Sequence, residues 1–379
     1  MKVSRRQFVR NACLFGSAIF LHQQRALANA LEQSGLKDSF KSDFLIGSIM
    51  GARNMLAARP EYLALITKEF NSMTMENAMK WENIHPSEKI WRWDAPDKFV
   101  DFGQQNHMKL VGHVLVWHSQ MANSAFRNKK GNYVNRKTMI KVMKKHISTL
   151  VGRYKNKMWA WDVVNEAIDD DKGLRQSDWL KVIGDDFMDL AFNFAHDADP
   201  KANLIYNDYN MHMPGKREFL VNWIKAAKKR GVPINGVGMQ GHIGLDFPDL
   251  QEFEDSIVAY AKAGMRVHIT ELEVDVLPAA WEYTGAEISK NFEYSDQLNP
   301  WVNGLPQEME DKLTARYVEI FKLFLKHRDK IDRVTFWGTS DIESWKNDFP
   351  VKGRTNYPLL FDRQYQPKPA YTAVRNLKK

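Results

Sequence analysis

Met158-Trp159-Ala160-Trp161-Asp162-Val163-Val164-Asn165 is a short run rich in aromatic and β-branched residues, too brief for an ordinary helix and of the composition that suits a pleated surface. It is followed at 178–198 by apolar positions three and four apart, and then by a second short apolar run, Asn203-Leu204-Ile205-Tyr206-Asn207. Strand, helix and strand in that order form a βαβ unit, whose strands must be parallel because a helix carries the chain back between them. Outward from this unit the alternation recurs from about residue 40 onward. Strands are predicted at 44–49, 71–74, 110–116, 158–165, 203–207, 237–240, 267–270 and 334–337, with helices at 136–154, 178–198, 216–230, 250–263 and 308–327. Eight such units in one chain predict a single α/β domain, a (β/α)8 (TIM) barrel. No Pro-, Gly- or Ser-rich linker, low-complexity tract or repeat divides it. A long irregular loop at 277–306, after strand seven, carries Trp281, Tyr283, Phe292, Tyr294 and Trp301. It reads equally as a functional loop or as a surface excursion packed by its own aromatics.

The 379 residues, 44% of them hydrophobic, are enough to bury a sizeable core. The formal charge of +8 is misleading as a sign of nucleic-acid binding. Lys2, Arg5, Arg6, Arg10 and Arg25 fall in the first 28 residues with no acid, and subtracting these five from +8 leaves +3, with no basic stripe to follow phosphates. That basic start, the apolar run from Ala12 to Leu21 and the small residues Ala26, Ala28 and Ala30 read as an export signal. The run falls short of the roughly 20 apolar residues a spanning helix needs, so no permanent membrane anchor is expected. Ser4-Arg5-Arg6-Gln7-Phe8 resembles a twin-arginine signal. The expected division is a signal peptide at 1–28, ending in Ala26-Leu27-Ala28, and the barrel at 29–379, delivered to the periplasm or secreted. Cys13, the only cysteine, lies in the signal, so the mature chain should have neither disulfide nor thiol chemistry.

Active sites of such barrels lie at the C-terminal ends of the strands. Strand four closes on Asn165-Glu166, and strand seven, Val267-His268-Ile269-Thr270, closes on Glu271. Strict alternation puts Glu166 on the face of Val164 and Glu271 on the face of Val267 and Ile269, which would aim both inward. One strand-end glutamate is most simply a helix N-terminal acid or an ion-pair partner. Two that face each other across a barrel mouth are what glycoside hydrolysis requires, one to protonate the leaving oxygen and one to attack carbon or activate water. Trp81, His113, Trp117, His118, Gln120, Gln240, His242, Trp337 and Trp345 fall at or just after strand ends, and sugar clefts combine aromatic platforms with hydrogen-bonding groups. A single Trp is more often core than platform, and Trp159 and Trp161 are assigned to packing. The histidines form no H-E-x-x-H and there is no C-x-x-C; Asn207-Asp208-Tyr209-Asn210 lacks the Gly and terminal Glu of an EF-hand loop. Neither a G-x-S-x-G elbow nor a phosphate-binding loop is present. No metal and no cofactor are expected.

Trp161-Asp162-Val163-Val164-Asn165-Glu166-Ala167 and Ile269-Thr270-Glu271-Leu272 resemble the acid/base and nucleophile motifs of glycoside hydrolase family ten, the endo-β-1,4-xylanases. Glu76-Asn77 with Lys80-Trp81, Gly112-His113-Val114-Leu115-Val116-Trp117-His118-Ser119-Gln120, Gln240-Gly241-His242 and Trp337-Gly338 match its other blocks, in family order, over nearly all the chain after residue 40. The resemblance implies hydrolysis of internal xylan bonds by retaining double displacement, with Glu271 as nucleophile and Glu166 as acid/base. It further implies that Glu76, Asn77 and Lys80 bind the second sugar on the non-reducing side. His113, Trp117, Asn165, Gln240 and Trp337 line the reacting sugar, Gln120 belongs to the same substrate-binding set, and His242 holds Glu271. Trp345 overhangs the place of a hexose hydroxymethyl group, and Tyr209 stacks on the leaving-group side. Xylan or a xylo-oligosaccharide is the expected partner, and the chain is expected to act as a monomer. These roles call for a raised pKa at Glu166 and a charged Glu271. One position departs: Glu273 stands where the family usually has Asp. Two rival readings are a β-glucanase or cellulase on the same barrel and a non-catalytic polysaccharide-binding barrel, which would have no need of both carboxylates.

Overall fold

The computed structural model describes residues 34–122, 125–170, 173–278 and 296–378. The predicted signal at 1–28 with Cys13 and the loop aromatics Trp281, Tyr283, Phe292 and Tyr294 lie outside the described residues. Among those described, eight parallel strands run β1 Leu45–Met50, β2 Ser72–Met75, β3 Lys109–Val116, β4 Ala160–Asn165, β5 Asn203–Asp208, β6 Gly236–Met239, β7 Arg266–Asp275 and β8 Ile331–Phe336. Each pairs with the next, and β8 pairs with both β7 and β1, so the sheet closes into the predicted (β/α)8 barrel. Helices Arg136–Arg153, Pro214–Lys229, Leu250–Lys262 and Gln307–Lys326 stand where the apolar spacing put them. The helix predicted at 178–198 is instead two, Asp178–Val182 and Phe187–Ala198. Gly184 lies between them with φ +106°, a conformation that no right-handed helix contains. No helix among the described residues is long and apolar enough to cross a membrane.

The strands separate two environments. Outward-facing side chains such as Met73, Leu110, Trp161, Leu204, Val237 and Val334 join one apolar cluster with helix residues including Phe99, Ile147, Phe192 and Phe324. Each fully buried side chain of this kind contributes roughly 1.5–3 kcal/mol. Inside the barrel, Val111, Ala160 and Ile205 form a separate small cluster against Trp159. Larger polar groups fill the rest of the lumen: buried Arg333 donates to the hydroxyls of Thr74 and Thr335, and His268 meets Trp159 edge-on. Trp159, just before β4, and Trp161 on it are thus both packing residues, the first against the small lumen cluster and the second in the outer apolar layer. Glycine makes the crowded lumen possible, since a Cβ on Gly236 would lie 2.7 Å from His268 Nε2 and one on Gly238 2.4 Å from Asn207 Oδ1.

Strict alternation fails at the ends that matter. The pairing register slips on β3 between His113 and Val116, on β4 between Asp162 and Val164, and on β7 between Ile269 and Leu272. Such bulges re-aim side chains beyond them. Val164, Val267 and Ile269 all pack in the outer apolar layer, so the expectation that they share a face with the two glutamates is wrong. On β7 the slip keeps Leu272 outside while Thr270 and Glu271 both reach the mouth; on β4 it keeps Val164 outside and brings in Asn165. Beyond its barrel portion β7 pairs with His242–Gly244, setting His242 opposite Glu273.

Candidate active site

Glu166 and Glu271 are both buried, and three side-chain amides connect them. Asn207 Nδ2 donates to Glu271 Oε1 at 2.7 Å and to Asn165 Oδ1 at 2.9 Å. Thr270 Oγ1 donates to Asn207 Oδ1 at 2.5 Å and so fixes which way that amide points. Gln240 Nε2 donates to Glu166 Oε1 at 2.9 Å and reaches Asn165 Oδ1 at 3.4 Å, while Trp117 Nε1 donates to Glu166 Oε2 at 2.8 Å. Glu166 itself has φ +53°, a left-handed backbone that costs a residue with a side chain roughly 1–2 kcal/mol. Its peptide is held on both sides: Glu166 N donates to Asn207 O at 2.9 Å, and Arg175 Nε donates to Glu166 O at 2.9 Å.

The second carboxylate oxygen of Glu271 faces an imidazole. His242 Nε2 lies 3.2 Å from Glu271 Oε2, and Nδ1 lies 2.9 Å from Glu273 Oε1. Burial alone would push this histidine down, but hydrogen bonds to the two carboxylates and their charges outweigh it and carry the pKa up to about 9. At neutral pH the ring is therefore an imidazolium that donates to both. Glu273 also accepts from Trp345 Nε1, at 2.8 and 3.0 Å to its two oxygens. The departure from the family's Asp thus leaves the relay intact, and the longer side chain reaches the histidine and the tryptophan together. The Trp345 ring lies 5.4 Å from His242 and stacks on Phe349 at 5.0 Å.

The electrostatics of Glu166 differ from the sequence expectation. Burial pushes its pKa up, but the positive charge of His118, the hydrogen bonds from Gln240 and Trp117, and the charge of Arg175 together outweigh burial. The net direction is below the usual carboxylate value. Neighbouring donors stabilise the charged form more than desolvation opposes it.

Most of the other expected residues gather around this pair. Lys80, buried, donates to Asn77 Oδ1 at 2.8 Å and sits 4.9 Å from the Trp117 ring. Burial lowers its pKa, and Glu271, Glu76 and Glu166 oppose that shift, so this one ammonium feels both acids. Glu76 is pushed up by burial against Lys80 and Asn77. His113 Nδ1 lies 3.0 Å from Asp162 Oδ2, with Trp337 edge-on at 5.3 Å. The Tyr209 hydroxyl accepts from Arg175 Nη2 at 2.7 Å. Its ring lies 3.8 Å from the ammonium of Lys216, itself paired with Asp208 and Asp170. Gln120 stands apart, donating to Glu82 Oε1 at 3.1 Å in a polar recess with His118 and Asp178. Trp81 is not at the site: it is buried flat against His146 at 3.5 Å in the outer core. Sequence reasoning gave no role to Asn207, Asp162, Arg175 or Arg333. Asn207 could have been found, as a polar residue near the end of an apolar strand on the lumen face. Among the described residues no group of acidic, histidine or cysteine side chains could hold a metal ion.

Residues 35–377 match the family model for glycosyl hydrolase family 10. Over 350 residues the chain is 45% identical to the endo-1,4-beta-xylanase A of Xylanibacter ruminicola, covering 92% of this chain and 95% of that protein. A family 10 endoxylanase retrieved from a sugarcane soil metagenome has a similar structure, with a TM-score of 0.88 and 53% identity over 90% of this chain and 100% of that one. A mutant protein solved in complex with xylotriose is similar at a TM-score of 0.81 and 35% identity, over 90% of this chain and 99% of that one. Fold, ordered motifs and these relatives agree: the chain belongs to glycosyl hydrolase family 10.

Proposed function

We propose that this chain is an endo-β-1,4-xylanase that hydrolyses internal xylosidic bonds of xylan with retention of configuration. The observation that carries this reading is the pair of buried carboxylates at the barrel mouth, joined through Asn207, Asn165 and Gln240, with an imidazolium on one of them only. That asymmetry divides the labour. Glu271, hydrogen-bonded by His242 and Asn207, attacks the anomeric carbon, while Glu166 donates a proton to the departing oxygen. Glu166 then takes a proton from water, which attacks the glycosyl-enzyme and restores the starting configuration. A sugar seated between the acids displaces water that screens them from each other. The charge of Glu271 then raises the affinity of Glu166 for the proton it must give.

The other roles are those the family resemblance implies, and the places of the side chains support them. Asn165 has its carbonyl occupied by Asn207 and Gln240, which leaves its amide NH2 as the end to meet a hydroxyl of the reacting sugar. His113, Trp117, Gln240 and Trp337 wall the same sugar. Lys80, Asn77 and Glu76 bind the next one on the non-reducing side, with Gln120 beyond them. Tyr209, fixed by Arg175, stacks on the leaving sugar. Trp345 covers the position a hexose hydroxymethyl would need, which selects a pentose by shape.

Rates on xylan and carboxymethyl-cellulose, with NMR of the first-formed anomer, test the reading. Faster cleavage of xylan to a β-anomer is expected; preference for cellulose, or an α-anomer first, rejects it. We further propose that residues 1–28 are a twin-arginine signal removed after Ala28, so that residues 29–379 act in the periplasm or outside the cell with no permanent anchor. Intact mass of the exported protein decides: Cys13 present in it refutes the cleavage.

A further inference from the structure

Behind the relay lies a second buried cation. Lys346 is fully buried in the short turn Trp345–Asn347, with its ammonium 3.5 Å from Glu273 Oε1 and 3.5 Å from Asp275 Oδ2. The same nitrogen lies 4.7 Å from the Trp345 ring. Asp275 is fixed in turn, accepting from Asn356 Nδ2 at 2.9 Å and from Leu277 N at 3.0 Å. From the mouth inward the charges therefore alternate: Glu271, His242, Glu273, Lys346, Asp275. A fully buried ammonium loses several kcal/mol of hydration, so a lysine is retained at such a place only where well-placed anions offset that loss. Among the described residues the two anions that do so, Glu273 and Asp275, lie on β7, the strand that bears Glu271.

Resting on the reading of Glu271 as nucleophile, we infer that Lys346 is a positioning residue for catalysis: its ammonium holds Glu273 against His242 and Trp345, and so fixes the charge and orientation of the imidazole that faces Glu271. Glu273 is the most heavily engaged carboxylate in the site, taking the imidazole, the indole N–H and the ammonium at once. Without Lys346, Glu273 and Asp275 would be two buried anions close together with one fewer cation to balance them, and their repulsion would draw Glu273 away from the ring. A displaced Glu273 no longer supports an imidazolium. His242 becomes neutral, and Glu271 loses a charged donor. Other charged or titratable groups face this chain from the surrounding elements. Lys80 after β2 and Arg333 on β8 act on Glu271, Arg354 acts on Asp275, and Tyr317 of the helix Gln307–Lys326 feels Glu273. None of the four takes a hydrogen bond or ion pair to Glu273 among the described contacts, so none substitutes for Lys346.

The test is the pH profile of kcat/KM on an aryl xylobioside for Lys346→Met and Lys346→Gln, two neutral replacements of which the second can still hydrogen-bond a carboxylate if the first does not fold, with Lys346→Arg as the charged control. The neutral variants should move the acid limb up by about one unit, a tenfold loss of kcat/KM well below that limb with a much smaller loss on the plateau, while KM on the plateau stays near the parent's. Lys346→Arg should keep the limb of the parent. Equal loss at every pH, or an unmoved limb in whichever neutral variant folds, overturns the inference, because a purely structural lysine would scale activity without changing its proton dependence. Labelling the parent with a 2-deoxy-2-fluoro xylobioside separates the two ideas. An adduct on a residue other than Glu271 refutes the nucleophile reading itself, whereas an adduct on Glu271 with an unmoved limb refutes only the role of Lys346.

Discussion

Replacing His242 by Asn removes one proton site from the centre of the cleft while leaving a side chain that can still hydrogen-bond. In the folded protein the imidazole pKa stands at about 9 against 6.5 unperturbed. The folded state therefore binds this proton more tightly than the unfolded chain, and the gain is complete below pH 6.5 and lost as pH rises through 9. A difference of about 2.5 units at about 1.4 kcal/mol per unit makes the contribution about 3.5 kcal/mol. Unfolding entropy of roughly 2.1 cal/mol/K per residue over the roughly 320 described residues converts that to a Tm change of about 5 °C. Thermal melts of parent and His242→Asn at pH 6 and pH 10 give the measurement. Groups remote from position 242 titrate alike in both proteins, so the parent should lose about 5 °C more than the variant between the two pH values. Equal losses would mean that the histidine is not protonated in the folded state, and the claim that an imidazolium holds Glu271 would fail with it.

Three further outcomes are expected. Trp345→Ala should narrow the ratio of kcat/KM on xylan to that on β-glucan, since truncation opens the space a hydroxymethyl needs; an unchanged ratio places the discrimination elsewhere. Asn207→Ala should lower kcat/KM by about 10- to 100-fold, the roughly 1.5–3 kcal/mol of a hydrogen bond to a charged group, and a loss under threefold would remove it from the machinery. With an activated aryl xylobioside, azide should rescue Glu166→Ala to give a β-azide after two inversions and Glu271→Ala to give an α-azide after one; exchanged products would exchange the two roles.

The barrel was legible because its outer layer obeys a simple rule. Short apolar runs such as Leu204-Ile205-Tyr206 and Val267-His268-Ile269, spaced by helical patterns, fix eight strands whatever fills the lumen. The one helix misread, at 178–198, turned on Gly184, whose φ of +106° interrupts a run of otherwise continuous apolar spacing. Trp81 was misplaced because its position just after a strand end fits a platform as well as a core residue, and only the flat contact with His146 decides. The two glutamates lie together at the barrel mouth, but the step that put them there was faulty: alternation grouped them with Val164, Val267 and Ile269, which face the helices.

That error shows what periodicity cannot carry. A bulge inserts one residue of ordinary type, so nothing in Asp162-Val163-Val164-Asn165 or Ile269-Thr270-Glu271-Leu272 names the residue at which the register slips. The trace it leaves is two adjacent polar residues closing an apolar strand, Asn165-Glu166 on β4 and Thr270-Glu271 on β7. Without a slip or a turned backbone, one of each pair would point into the apolar layer between sheet and helices, where a carboxylate has no partner. Two neighbouring polar groups both facing the lumen are also what the chemistry requires. Thr270 orients Asn207, Asn207 binds Glu271, and Asn165 accepts from both Asn207 and Gln240, so each pair supplies one of the two proposed acids and a group that aligns its surroundings. The longer chain of Glu273 fits the same logic. Its added methylene would be unsupported if His242 were its only partner, and it is supported because Trp345 and Lys346, neighbours on one turn, meet the carboxylate from the far side.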